Sequence, residues 1–246
     1  MDTGRQLTAI MDELAGMANA QNRAGMARYG INTDAAFGVS IYELRRIAKG
    51  YRRDHELALA LWGTGNHEAR LLASMVDDPA AVSEEQMEEW AAAFDSWDVC
   101  DQVTSNLFDK TPYAYAKVTA WSAREEEWVK RAAFATAAAL AVQDKAAADE
   151  PFLAILKLCR REAGDDRNFV KKAVNWALRN IGKRDAALHE AALHAAALET
   201  AAAILAEAEA RAGADRRDPA ARSGRWVARD ALRELRSEKV LRRLRP

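Results

Sequence analysis

Apolar side chains along this chain recur at spacings of three and four, with no run that alternates as a half-buried strand would. The pattern predicts helices over about 5–20, 40–51, 54–63, 66–76, 83–94, 97–109, 113–122, 126–142, 150–162, 167–182, 186–211, 222–235 and 237–244. Start signals support several of these. Ser83 has Gln86 three residues later, and Asp95 or Ser96 is placed to cap the helix that opens at Trp97.

One position breaks the pattern. Trp90, Phe94 and Trp97 mark an apolar stripe, and the next place on it is taken by Asp101, within Phe94-Asp-Ser-Trp-Asp-Val-Cys-Asp101. An ionised carboxylate on a buried stripe is costly unless something pairs with it. The stripe is therefore expected to line a cleft, where an aromatic ring and a carboxylate one turn apart act on a cationic group. Asp95 and Asp98 read as cap and first-turn acids favoured by the helix dipole, with Asp98 near enough in sequence to share a proton with Asp101.

Short helices in succession predict an all-α chain, an α-solenoid of HEAT-like antiparallel helix pairs. No tight sequence repeat accompanies them, so this expectation rests on helix spacing. One domain is expected over residues 1–246, with its core at 26–210, a loop near Asp215 to Pro219, and a basic C-terminal helical hairpin at 220–246.

Composition agrees with helix, because glycine (12) and proline (5) are scarce among 246 residues. Two cysteines, Cys100 and Cys159, make no disulfide framework and point to a reducing compartment. With no signal peptide and no long apolar run, a soluble, cytoplasmic, non-membrane protein is expected, and a monomer. His55, His67, His189 and His194 lack metal-ligand spacing, and no glycine-rich phosphate loop is present, so neither metal nor cofactor is expected.

The net charge of −1 hides an asymmetry. Residues 1–150 hold 15 Lys/Arg and 24 Asp/Glu, whereas residues 151–246 hold 21 and 13. The second part is the natural place for a polyanion, unless its charges only solvate helical faces. Within it, Val170, Val174, Leu178 and Ile181 form a buried stripe on the helix of residues 167–182. Trp176 lies about 200° around the helix from Val174 and from Leu178 and so faces away from that core. Lys172, Arg179 and Lys183 share its side, an aromatic among cations that suits phosphate contact with stacking on a sugar or base. In a solenoid the alternative is that Trp176 packs beneath the next repeat. Farther back, Trp128-Val-Lys-Arg131 offers a cation able to reach a phosphate, to pair with an acid such as Asp101, or to bridge to Glu125-Glu126-Glu127 at the surface.

Taken in order, Met26-Ala-Arg-Tyr29, Phe37-Gly-Val-Ser-Ile-Tyr-Glu-Leu-Arg-Arg46, Ser96-Trp-Asp-Val-Cys-Asp101, Trp128-Val-Lys-Arg-Ala-Ala133 and Lys172-Ala-Val-Asn-Trp-Ala-Leu-Arg179 resemble the DNA alkylation repair family, the AlkD-like HEAT-repeat DNA glycosylases. Gly224-Arg-Trp-Val-Ala-Arg-Asp-Ala-Leu-Arg233 looks like a subgroup of it. The resemblance implies a basic concave groove that cradles duplex DNA containing alkylated bases. It implies cleavage of the N-glycosidic bond of N3- or N7-alkylated purines, with the lesion's sugar contacted by Trp97, Trp176 and Asp101 and a phosphate by Arg131. Such a base is already cationic and leaves without a general acid, so the remaining task is to stabilise oxocarbenium character on the deoxyribose. A carboxylate about 4 Å away supplies roughly 4 kcal/mol at an effective dielectric near 20. Two other readings stand beside this one. Some relatives bind branched or damaged DNA without glycosylase activity, and a HEAT-type scaffold need bind no nucleic acid. The family often carries a second aromatic where this chain has Ser96.

Overall fold

A computed structural model describes residues 2–184 and 219–244, and every regular element among them is helical. The chain forms two compact units, Met1–Ala114 and Tyr115–Pro246. The predicted helix at 186–211, with His189 and His194, lies outside the described residues.

The first unit contains α1 (Thr3–Gly16), α2 (Ala20–Arg28), α3 (Ile41–Ala48), α4 (His55–Gly63), α5 (His67–Val76), α6 (Glu84–Ala92), α7 (Trp97–Asn106) and a 3-10 turn, Phe108–Lys110. Short polar side chains set where most of them begin. Asp2, Asn19, Ser40, Asp54, Asn66 and Ser83 each accept a backbone N–H of the first helical turn. Ser83 does so toward Gln86 N–H at 3.1 Å, while the Gln86 side chain turns to Asp77 at 2.8 Å instead of closing a reciprocal box.

The predicted helix at 5–20 ends at Gly16, and a separate helix, α2, follows it. Periodicity could not reveal α2, because none of its residues is buried. Its place is fixed by its neighbours. Glu68, fully buried, accepts N–H bonds from Phe37, Gly38 and Val39 at 2.9, 2.6 and 3.1 Å, and Asn22 donates to the Gly38 carbonyl at 3.1 Å. Gly38 has φ +82°, and a Cβ there would lie 2.3 Å from the Asn19 carbonyl oxygen, so only glycine lets α2 approach.

Asp54 N–H, at the start of α4, bonds the Val76 carbonyl at the end of α5, so these two form an antiparallel pair. α5 packs against α3 and α7 as well, and α4 against α1. Beneath them Trp62 and Trp90 stack at 4.1 Å between ring centroids, with Phe94 and Phe108 around them.

The second unit contains α8 (Ala114–Trp121, starting at the boundary), α9 (Glu127–Gln143), α10 (Glu150–Glu162), α11 (Asn168–Ile181), α12 (Pro219–Leu235) and α13 (Glu238–Leu244). α9 is buried along most of its length, and alanine at seven of its buried positions lets α11 pack closely on it. Arg131 near the start of α9 bonds the Phe169 carbonyl, and Asn180 near the end of α11 bonds the Ala138 carbonyl, so the two helices run parallel. α11 also packs on α10 and α12.

Candidate functional site

Trp97 is the first residue of α7, and the stripe of Trp90, Phe94 and Trp97 is not one helical face. α6 ends at Ala92, Trp90 and Phe94 enter the aromatic core, and the chain restarts as α7 at Trp97. Trp97 and Asp101, four residues apart, do share a face of α7, and both are half-buried.

Ser96 occupies the cap position of α7 without capping it. Its buried hydroxyl accepts the Asn32 N–H at 3.2 Å, and Asp95 takes the Asn32 side-chain amide at 2.9 Å instead of capping. Trp97 Nε1–H donates to the Tyr29 carbonyl at 3.0 Å. These three bonds fasten the segment that leaves α2 to the start of α7. Ser96 thereby helps hold the turn that leads into Trp97.

The N-terminal ends of α3, α5 and α7 meet α2 around a cavity of about 870 Å³, walled by Met26, Ile31, Leu71, Trp97, His67 and Asp98 among others. Asp101 is not part of this wall. His67 is 6% exposed, and its Nε2 lies 2.9 Å from Asp98 Oδ2 but out of line for a hydrogen bond; Asp98 Oδ1 is buried without a partner as well. Burial pulls the His67 value down, yet the carboxylates of Asp98, Glu68 and Asp95 together outweigh it, Asp98 foremost, and hold the imidazole above its ordinary range. Asp98 is thus engaged with His67. Neither residue was marked by sequence as a pair, because they lie thirty-one positions apart on different helices.

In the second unit, Trp176 is half-buried on α11, off the buried stripe of Val170, Val174, Leu178 and Ile181. Lys172 is exposed. Arg179 and Lys183 both pair with Glu234 of α12, and Arg179 lies 3.8 Å from Asp230, so these two cations are held by the protein's own acids. Arg131 is buried, 5% exposed, and does not sit at the surface beside Glu125-Glu126-Glu127. Its guanidinium donates to the Phe169 carbonyl at 2.6 Å and lies 6.0 Å from that ring, which stands 5.0 Å from Trp128. That bond sets the start of the helix that carries Trp176.

Among the described residues no cluster of three or more His, Cys, Asp or Glu side chains could hold a metal, and no helix is long and apolar enough to cross a membrane. Cys100 and Cys159 are buried, and burial pushes the Cys159 thiol up to about 12.

The described residues form an all-helical fold of antiparallel and parallel helix pairs, and the likeness to a solved structure agrees with a HEAT-like architecture. The fold is shared with a solved protein described as one of a new family related to the HEAT-like repeat DNA glycosylases, with affinity for branched DNA structures; the TM-score is 0.69 at 23% identity, covering 79% of this chain and 81% of the other. The DNA alkylation repair enzyme family matches residues 10–235, and the chain belongs to that family. No protein of curated function matches it in sequence.

Proposed function

We propose that this protein is a DNA N-glycosylase that releases cationic N3- or N7-alkylated purines from duplex DNA. The observation that carries the reading is the shared face of α7: Trp97, held by the Tyr29 carbonyl at the rim of a cavity, with Asp101 one turn along it, both half-buried. The carboxylate stabilises positive charge as it grows on the deoxyribose, and the indole face adds cation–π attraction of about 0.5–2 kcal/mol. No general acid is required, because the leaving base already carries its charge. Neutral lesions such as uracil are therefore poor substrates. Trp176 is proposed, on the family resemblance, to contribute a DNA-contacting aromatic ring; Arg131, which that resemblance directs to a phosphate, is buried against the Phe169 carbonyl and acts by anchoring the helix that carries Trp176.

The test is to incubate alkylated duplex DNA with the wild type and with Asp101→Asn and to identify the released bases by mass. The expected result is release of 7-methylguanine or 3-methyladenine by the wild type, and a rate at least ~100-fold lower in the variant with duplex binding nearly unchanged. Full activity of Asp101→Asn removes that residue from the mechanism. A second reading, binding of branched or damaged DNA without catalysis, is favoured by the solved relative's affinity for branched DNA. It prevails if the wild type releases no base yet binds such DNA in a salt-sensitive way.

A further inference from the structure

The end of the α3, α5 and α7 layer opposite the Trp97 cavity carries a second concavity, of about 550 Å³, lined by the C-terminal residues of the same helices. Five of the ten Lys and Arg residues in the acidic unit gather there: Arg45, Lys49, Arg52, Arg53 and Lys110. Lys110 is accounted for locally, since it caps α7 through the Ser105 and Asn106 carbonyls and lies 3.4 Å from Asp109. The other four are exposed. The neighbouring Arg46 shows that acids are within reach on this surface, because it pairs with Glu13 and Glu43 at 2.7 Å each, yet among the described residues no ion pair engages these four. The one acid in the wall, Asp77, has a fully buried side chain held by His55 and Gln86.

Stabilisation of a helix C-terminus accounts for Arg45 and Lys49 in or beside the last turn of α3, but not for Arg52 and Arg53 beyond it. Arg53 moreover adopts φ 59°, a left-handed conformation that glycine takes without penalty. Four like charges around one hollow repel one another, and an anion seated between them relieves that repulsion.

We infer that this hollow binds phosphate groups of a nucleic-acid strand, through Arg45, Lys49, Arg52 and Arg53. The inference rests on the nucleic-acid reading of this chain and not on base release. Asn106 in its wall and Trp97 at the other cavity are nine residues apart on α7, about 14 Å. That distance spans roughly four base steps of a B-form duplex, so a strand that runs along α7 places the phosphates held here about that far from the nucleotide at Trp97.

The experiment measures binding of a short DNA duplex as a function of salt, between about 50 and 200 mM, for the wild type, Arg53→Gly and the triple variant Lys49→Gln, Arg52→Gln, Arg53→Gly. Arg53→Gly removes a charge and a strained conformation together, so its melting temperature should not fall; a cation kept for structure would lower it. The triple variant is expected to bind on the order of 10- to 100-fold more weakly, with a log–log salt slope shallower by roughly two to three, and Arg53→Gly to lose about one. Neutral methylphosphonate linkages about four nucleotides from the lesion should weaken the wild type and leave the triple variant unmoved, whereas a gain on adding a 5′-phosphate at a nick there would assign the hollow to a strand end. Unchanged slopes in both variants, beside a salt-dependent wild type, overturn this inference alone. A wild type that binds no duplex overturns it together with the proposed function.

Discussion

Among the described residues of the second unit, the cations nearest Trp176 on its helix face and those at the start of α11 are mostly held by the protein's own acids. Lys130 lies 2.6 Å from Glu162 and 3.3 Å from Asp165, Arg167 lies 2.5 Å from Asp165, and Glu234 holds both Arg179 and Lys183. In the first unit, which carries 18 acidic against 10 basic residues, four exposed cations around one hollow meet no carboxylate among the described residues. The second unit has 26 basic against 19 acidic residues, and by net charge it alone would be chosen to meet DNA. The difference teaches that a polyanion responds to cations left without internal partners, and that these need not lie where the total charge is positive.

The comparison can be tested from both sides. The largest expected effect concerns a buried acid of the first unit whose lysine does not fully compensate it. Burial lifts Asp109 from 3.8 to about 6, with Lys110 pulling the other way, and Asp109 Oδ2 is buried without a partner. The folded state therefore holds this proton more tightly than the unfolded chain does, and the stability this confers in acid is lost as pH rises through about 6. Asp109→Asn should stabilise the protein by up to about 3 kcal/mol near pH 8 and by almost nothing below the unfolded value, as read from melting curves at both pH values. A loss of stability at pH 8 would mean that the Lys110 pair is worth more than the burial of its acid.

Next in size is release of the captive cations. Glu234→Gln frees Lys183 and leaves Arg179 with only the longer Asp230 contact, and duplex binding should tighten by several-fold to about ten-fold, with a salt slope steeper by one to two. Unchanged binding would show that this face does not meet DNA even when its charges are available. The smallest effect belongs to Arg46, exposed between Glu13 and Glu43. Arg46→Gln should alter neither the melting temperature nor the salt slope, and a shallower slope would extend the phosphate surface beyond the hollow.

Much of the helical order was legible because amphipathic helices carry their own signal. α9 to α11 fall within two residues of the predicted bounds, and α7 begins at Trp97 as its preceding polar residues suggested. What could not be read depended on partners distant in sequence. α2 has no apolar stripe, since it is held by the Gly38 carbonyl and by the fastening of the chain after it to α7. Ser96 looked like a cap because it has a cap's residue type; the Asn32 N–H, sixty-four positions away, claims its hydroxyl instead. The apparent stripe from Trp90 to Asp101 has helical spacing, yet its first two members belong to a core that also needs Trp62 and Phe108. The grouping of Lys172, Arg179 and Lys183 on one face follows from spacing along α11, whereas the pairing of two of them follows from Glu234, fifty-one residues farther on. The cation hollow was the least legible of all, because it takes helix ends stacked side by side to bring it together.

The fully buried Glu68 carboxylate, bonded to three successive amides across the close approach at Gly38, has a bearing on how anything enters the cavity beside Trp97. A loop fastened at three successive amides from below and pressed by α2 from above is not free to fold down over an occupant as a lid. The receptacle stands already shaped, and a guest need not draw on its own binding energy to order these walls. Selection there falls on the shape and wetting of what arrives, with no closing motion to proofread it.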